Sequence, residues 1–197
     1  MQPWRLYQIA WRGRSDLATL VQAEESGPSR HMPPLANLCG FYLNELLLRL
    51  LTRWDPHPDL FDDYQAVLAA LPDQPQPDWL LRRFEWRLLL AMGFAPELSQ
   101  CKVCPITLES NAATWFYVPM DGVFCQDHGA GLAGAVPVHA LTLCQLLQGE
   151  NCPDASQRLA LQKCLSQDLA AHLGGKPLQS RVLLREYWRR REAVADA

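Results

Sequence analysis

The 197-residue chain is long enough for one moderate domain or two small ones, and 49% of its residues are hydrophobic, so it can build a core without disulfides. Its net charge of −3 argues against a uniformly basic coat for nucleic acid. No apolar run reaches the roughly 18–20 residues of a membrane helix, and the amino terminus lacks a signal-peptide pattern, so we expect a cytoplasmic protein without membrane contact. In a reducing compartment, paired cysteines serve metals more often than disulfides, and the chain has seven cysteines.

The first segment of the chain predicts an antiparallel β-hairpin. Large apolar residues recur in residues 4–11, and a second apolar run at residues 17–23 follows a turn. A lone two-stranded hairpin is only marginally stable in water, so we expect it to pack on the rest of the protein, with no closed barrel. A connector rich in Gly and Pro follows at residues 24–34.

The remainder of the chain, residues 33–197, is dominated by helical periodicity. Leucine-rich segments with a spacing of three and four residues predict helices that begin near Leu35, Leu60, Trp79, Pro137, Ala155 and Ser180. Asp78 suits the N-cap of the third helix, and Gly93 suits the position just beyond its end. We therefore predict a mainly α fold: a helical bundle with a short amino-terminal hairpin and a Cys/His insert.

The insert, residues 101–128, contains two pairs of metal-ligand residues with the same x2 spacing. Zinc prefers four tetrahedral thiolate and imidazole ligands, and pairs separated by about 15–20 residues are a known zinc spacing. The residues between the pairs, ATWFYVP and VFC among them, have strand composition, which indicates a zinc ribbon. We predict one zinc ion bound by Cys101, Cys104, Cys125 and His128. Its role is structural, because four protein ligands leave no open position for catalysis.

The alternative for any cysteine is an inert buried thiol. This alternative fits Cys39, Cys144 and Cys164, which lie in apolar helical stretches, while Cys152 has no partner at ligand spacing. A redox C-x-x-C is typical of a strand–helix junction, and no such pattern surrounds Cys104.

No group of residues predicts catalysis. Glu45 and the pair at residues 62–63 lack a partnered acid or histidine, and a solvated helix face is the usual place for such acids. His139 and His172 lie near apolar helices and fit local hydrogen bonding. The segment HLGGKP lacks the spacing of a phosphate-binding loop. We therefore do not predict an enzyme.

Two clusters of basic residues are candidates for binding. The carboxyl-terminal segment can contact phosphate and stack on bases through Arg185, Tyr187, Trp188, Arg189, Arg190 and Arg191. Its alternative is a solvated amphipathic helix with Leu183, Leu184 and Tyr187 packed inward, which the residues alone favour. Arg82 and Arg83 have Phe84 and Trp86 nearby and can bind an acidic peptide, or they can be ordinary helix surface.

Four motifs occur together in one order. They are GFYLNELLLRLL from residue 40, LRRFEWRLLLAMGF from residue 81, the C-x2-C and C-x2-H pairs, and LGGKPLQSR from residue 173. Together they resemble the RecO recombination-mediator family of bacterial DNA repair, and the similarity runs from about Gln2 to Tyr187.

This resemblance implies an amino-terminal OB-fold, a helical domain and a zinc-binding insert within that domain. It implies a non-enzymatic, nucleoid-associated protein that binds single- and double-stranded DNA, anneals strands, and works with RecR to load RecA. It also implies binding to the carboxyl-terminal tail of the single-stranded DNA-binding protein, for which we select Arg82, Arg83, Lys176 and Arg181.

The chain departs from the family pattern at its amino terminus. An OB-fold has five strands, whereas only about thirty residues precede the helices, so residues 1–30 resemble the last strands of that barrel. Either the chain is truncated or the barrel has been lost. His128 also replaces a cysteine of many relatives, and the net charge is unusually acidic. A zinc-stabilised helical protein-interaction module without DNA binding is therefore the second interpretation.

Overall fold

A computed structural model describes residues 3–13, 18–27, 31–108, 113–117, 119, 122–139, 142 and 154–195. This part of the chain contains six α-helices and two small antiparallel sheets, which confirms the predicted mainly α fold class. Among these residues, no helix has both the length and the apolar character needed to cross a bilayer.

Five helices form the bundle. They are α1 (Pro34–Leu50), α2 (Pro58–Ala70), α3 (Asp78–Ala91), α5 (Ala155–His172) and α6 (Gln179–Ala195), and a 3-10 turn (Leu71–Asp73) links α2 to α3. Leucines on α1, α3 and α5 fill the centre: Leu43, Leu46, Leu88, Leu89, Leu165 and Leu169 are at most 1% exposed. Each buried leucine stabilises the fold by about 1.5–3 kcal/mol, so the bundle carries its own core.

The helix ends follow from local sequence. Pro34 and Pro58 occupy the first positions of α1 and α2, where a missing N–H costs nothing. The end of α3 has Gly93 with φ +72°, and the N–H groups of Gly93 and Phe94 bond the carbonyls of Leu90 and Leu89. This is a Schellman motif, as the sequence predicted for Gly93.

The amino-terminal strands β1 (Tyr7–Arg12) and β2 (Thr19–Glu25) pair antiparallel, with an irregularity at Ala10 and Trp11. The predicted hairpin is confirmed, and no barrel closes among the described residues. The expected packing of its strands on the bundle was wrong, because every residue of β1 and β2 except Tyr7 is exposed. The origin of residues 1–30 as part of an OB-fold stays a prediction.

Trp4 attaches the hairpin to the bundle. Its indole nitrogen donates to Asn37 Oδ1 at 2.6 Å, and its ring lies 5.3 Å from that of Phe41. A Cβ on Gly40 would come within 2.4 Å of the Trp4 ring, so glycine at this helix position permits the contact.

The insert contains a three-stranded sheet in which β3 (Ala113–Tyr117) lies between β4 (Gly122–Phe124) and β5 (Val136–His139). A short helix, α4 (Gln126–Gly129), follows β4. The sequence predicted the first two strands but placed a helix from Pro137, and for residues 136–139 that prediction was wrong. Val136 and Val138 are buried while Pro137 is exposed, which is the two-residue period of an edge strand that tolerates proline. Apart from residue 142, the rest of that predicted helix lies outside the described residues.

Candidate functional site

The insert brings the four predicted metal ligands together. The ligand atoms of Cys101, Cys104, Cys125 and His128, called here the Cys/His cluster, all lie within 4.8 Å of one another. His128 Nδ1 is 3.1 Å from the sulfur of Cys125, and the sulfurs of Cys104 and Cys125 are 3.8 Å apart. Such an arrangement can bind a metal ion.

Local backbone bonds explain this convergence. The N–H of Cys101 donates to the carbonyl of Ile106 at 3.0 Å, and the N–H of Lys102 reaches the carbonyl of Val123 at 2.9 Å, which ties the first turn to β4. A Cβ on Gly129 would lie 2.6 Å from the Cβ of Trp115. The glycine therefore lets α4 pack closely on β3, and His128 faces Cys125 as a result.

The Cys101 thiol of this cluster differs from the core cysteines, whereas burial and the neighbouring thiols outweigh the backbone N–H of Ile106 and raise the pKa of Cys104. Burial opposes ionisation of Cys101, but backbone N–H groups of Cys125, Val103 and Cys104 outweigh it and lower the pKa of that thiol to about 6. By contrast, burial raises the pKa of Cys39 and Cys164 to about 12, so these two are inert apolar residues. Cys144 and Cys152 lie outside the described residues.

A second site is a cavity of about 370 Å³ between α1, α3, α5 and α6. Four arginines line it and define what we call the arginine cavity: Arg82, Arg158, Arg181 and Arg185. Leu81, Leu184 and Trp188 supply an apolar wall. A guanidinium binds a carboxylate in a two-point fork, so this combination fits an acidic ligand with an apolar side chain.

Arg82 is the most buried of these arginines, with its side chain 5% exposed. Its Nη2 lies 2.6 Å from Glu85 Oε1. Its Nε and Nη1 are also buried, yet they have no hydrogen-bond partner among the residues that the structure describes. Buried donors are usually paired, so Glu85 satisfies the Arg82 guanidinium only in part.

Tyr42 on α1 joins two of the arginines. Its hydroxyl donates to Glu85 Oε1 and accepts a bond from Arg181 Nη2 at 3.0 Å. The Arg181 guanidinium also lies over the Tyr42 ring, 5.5 Å from its centroid. Burial and the charge of Glu85 raise the pKa of Tyr42, so the phenol keeps its proton. Burial likewise raises the pKa of Glu85, although Arg82, Tyr42 and Arg181 favour its charged form.

The LGGKPLQSR segment is held against α1. Glu45 accepts bonds from the N–H groups of Gln179 and Ser180 at 3.0 and 2.9 Å, so it caps the start of α6. Burial disfavours the Glu45 carboxylate, but its bonds to Ser180 and Gln179 outweigh this and lower its pKa. We predicted a solvated helix face for Glu45, and that was wrong. Its carboxylate accepts bonds from backbone N–H groups that are far away in the sequence.

Arg49, one turn farther along α1 and 3.7 Å from the Glu45 carboxylate, holds the same segment. Its guanidinium donates to the carbonyls of Leu173, Lys176 and Pro177. Together with Glu45, this fixes the position from which α6 directs Arg181 toward the arginine cavity.

The structure separates several of the predicted binding residues. Arg82 and Arg181 share the arginine cavity, whereas Arg83 lines a different cavity with Arg87 and Phe84. Successive residues on a helix point about 100° apart, which explains why neighbours in sequence face different surfaces. Lys176 lies exposed in the loop before α6 and does not line the arginine cavity.

The predicted DNA-binding residues are also divided. Arg185 and Trp188 line the arginine cavity, Tyr187 is half-buried against the core, and Arg189, Arg190 and Arg191 are exposed. The Arg191 guanidinium lies 5.8 Å from the centroid of Trp188.

Sequence reasoning missed Tyr42, Glu85 and Arg158. The signal for the first two was a polar group at a core-facing helical position, since Tyr42 and Glu85 are at most 1% exposed. Arg158 gave no signal. Asp78, predicted as an N-cap, is instead the first residue of α3, and its Oδ2 accepts a bond from Arg158 Nε at 2.7 Å.

Comparisons with known proteins agree on one family. A family model described as "Recombination protein O C terminal" matches residues 34–181. A DNA repair protein RecO from Acidithiobacillus ferrooxidans is 45% identical over 184 residues, covering 92% of this chain and 71% of the relative. Another from Nitrosospira multiformis is 35% identical, covering 91% and 73%. A third, from Alkalilimnicola ehrlichii, is 34% identical, covering 100% and 77%.

Proposed function

The chain belongs to the RecO family of DNA repair proteins, and from that premise we propose that it is a non-enzymatic recombination mediator. In this proposal it binds DNA and the single-stranded DNA-binding protein, works with RecR to load RecA, and anneals complementary strands. The arginine cavity is the observation that carries the proposal, because it combines carboxylate-binding groups with an apolar wall at one place.

The ligand of the arginine cavity is the acidic carboxyl-terminal tail of the single-stranded DNA-binding protein. Arg82 and Arg181 bind the terminal carboxylate, because both lie in the cavity and are linked through Glu85 and Tyr42. The last, apolar side chain packs on Leu81 and Leu184. Arg158 and Arg185 face acidic residues farther along the tail.

Lys176 and Arg83 lie outside the arginine cavity. We therefore assign neither of them a contact with the terminal residue of the tail, although both were selected from sequence.

The Cys/His cluster holds a structural zinc ion in this proposal. Three thiols and one imidazole are the donor set that zinc prefers, and their ligand atoms all lie within 4.8 Å of one another. When bound, the ion links the turn at Cys101 and Cys104 to α4. Four protein ligands leave no open position, so the ion supplies stability and no catalysis.

Contact with DNA is assigned to the outer surface of α6. Arg189, Arg190 and Arg191 are exposed there and are accessible to phosphates. Tyr187 and Trp188 are partly buried against the core. Their packing favours the second candidate function, a protein-interaction module without DNA binding, because base stacking needs an open aromatic face.

The test of the tail site is fluorescence polarisation with a labelled acidic peptide that ends in an apolar residue with a free carboxylate. Arg82→Ala should weaken binding by about 30-fold or more, because it removes a buried charged partner. Arg83→Ala is the matched control and should change the Kd less than about three-fold. If Arg82→Ala binds as tightly as the parent, the tail site lies elsewhere.

The test of DNA binding is a gel shift with single-stranded DNA at increasing salt. The parent should bind with an affinity that falls as salt rises, and replacement of Arg189, Arg190 and Arg191 by alanine should flatten that salt dependence. Absence of binding at low salt would favour the protein-interaction module.

A further inference from the structure

The buried polar network around the arginine cavity spans three helices. Tyr42 on α1 contacts Glu85 and Arg181, and Glu85 in turn contacts Arg82 on α3. Tyr42 therefore connects the arginine of α3 with the arginine of α6. Both Tyr42 and Glu85 are at most 1% exposed, so solvent does not compete for these bonds.

We propose that Tyr42 and Glu85 are positioning residues that hold Arg82 and Arg181 as a single carboxylate-binding unit. The proposal rests on the proposed function of the arginine cavity as the tail site. It assigns no ligand contact to Tyr42 or Glu85 themselves.

Stability alone does not account for this network. Replacing a buried ion pair by apolar residues of similar volume is often neutral or stabilising, so a helical bundle of this kind gains little from burying Glu85 and Arg82. The pair also leaves Glu85 Oε2 and two nitrogens of Arg82 without hydrogen-bond partners in the described part of the chain. Incomplete pairing of this kind makes the network costly for folding, which favours a role other than stability.

The contacts of Arg181 indicate what the network achieves. Its guanidinium is restrained twice by Tyr42, through the hydrogen bond to the hydroxyl and through the ring face beneath it. An arginine that is already fixed loses less conformational entropy when it binds a carboxylate. Tyr42 lines the cavity, and its hydroxyl bonds Glu85 and Arg181, so removal of the hydroxyl should affect peptide affinity through Arg181.

The first test compares Tyr42→Phe with Tyr64→Phe in the same peptide-binding assay. Tyr64 also bonds α1, through Asn44 Oδ1 at 2.6 Å, but it does not line the arginine cavity, so it controls for loss of a phenol. Tyr42→Phe should weaken peptide binding about 10-fold, as expected for a lost hydrogen bond to a charged group. Tyr64→Phe should stay within about two-fold of the parent.

A double-mutant cycle separates positioning from a structural role. If Tyr42 acts through Arg181, then Tyr42→Phe should weaken binding no further in a chain that already carries Arg181→Ala. Additive losses in the double variant would overturn the proposal, as would unchanged peptide affinity in Tyr42→Phe. Thermal unfolding of each variant shows whether the fold is retained.

A second variant keeps the proposal testable if Tyr42→Phe does not fold. Arg181 is only half-buried, so Arg181→Lys should fold while losing the two-point geometry, and it should weaken binding about 5- to 10-fold. Parent-like affinity in this variant would overturn the proposal. If the parent chain does not bind the peptide, the proposed tail site is wrong. If the parent binds and Tyr42→Phe binds equally well, only the positioning role of Tyr42 is wrong.

Discussion

All ligands of the Cys/His cluster lie between residues 101 and 128, whereas the arginine cavity takes its arginines from α3, α5 and α6. Turns and a small sheet bring the metal ligands together, and the apolar side chains around them, among them Phe116, Val123 and Phe124, are buried on this sheet. The arginine cavity instead lies on a bundle whose central leucines are fully buried. We therefore expect the structure of the insert to depend on its metal, and the structure of the arginine cavity to depend on the hydrophobic core.

Metal removal should have the largest effect, confined to one of the two regions. Chelation, or Cys104→Ser, should increase amide hydrogen exchange of residues 101–108 and 122–129 by at least about 100-fold, because binding energy is folding energy in a structural metal site. Amides of α1 and α3 should keep their protection. Elemental analysis of the purified protein should give one zinc per chain. Purified protein without metal, or hydrogen exchange that rises equally in α1, would contradict the expectation that only the insert depends on a metal ion.

A substitution in the hydrophobic core should destabilise the helical bundle and the arginine cavity while the metal stays bound to the insert. Leu43 is fully buried, so Leu43→Ala should lower the free energy of unfolding by about 2–5 kcal/mol and weaken peptide binding at the arginine cavity. Leu48 lies on the same helix at 83% exposure, and Leu48→Ala should change stability by less than about 0.5 kcal/mol. Denaturant unfolding measures both. Loss of metal from Leu43→Ala under native conditions would show that the two regions are not independent.

The smallest expected effect concerns Glu45 and depends on pH. The folded-state pKa of Glu45 lies below its ordinary value of 4.5, so its stabilising contribution is present well above pH 4.5 and is lost as pH falls through the lower folded-state pKa. Glu45→Ala should cost about 1 kcal/mol at neutral pH, as for other helix caps, and progressively less below pH 4.5. Urea unfolding at several pH values checks this, with Asp62→Ala on the exposed face of α2 as a control. If the stability difference between the parent and Glu45→Ala is the same at every pH, the charge of Glu45 does not contribute to stability.

The sequence predicted elements well where a signal repeats along the chain. Helical spacing in the leucine-rich segments found α1, α2, α3, α5 and α6, and Gly93 marked the end of α3. The strand β5 was missed because Pro137 resembles a helix start, and only pairing with β3 distinguishes the two. The role of Glu45 was missed because its partners at Gln179 and Ser180 are remote in sequence.

The Cys/His cluster was determined by the sequence itself, because ligand spacing over a short segment limits the geometry that its turns can adopt. Tertiary structure alone decided the arginine cavity. Arg82 and Arg83 are equivalent by composition and adjacent in the chain, and only helix packing turns one into the cavity and the other away. The same packing brings Arg158 and Arg181 beside Arg82, and buries Tyr42 and Glu85 where their hydrogen bonds escape competition from water.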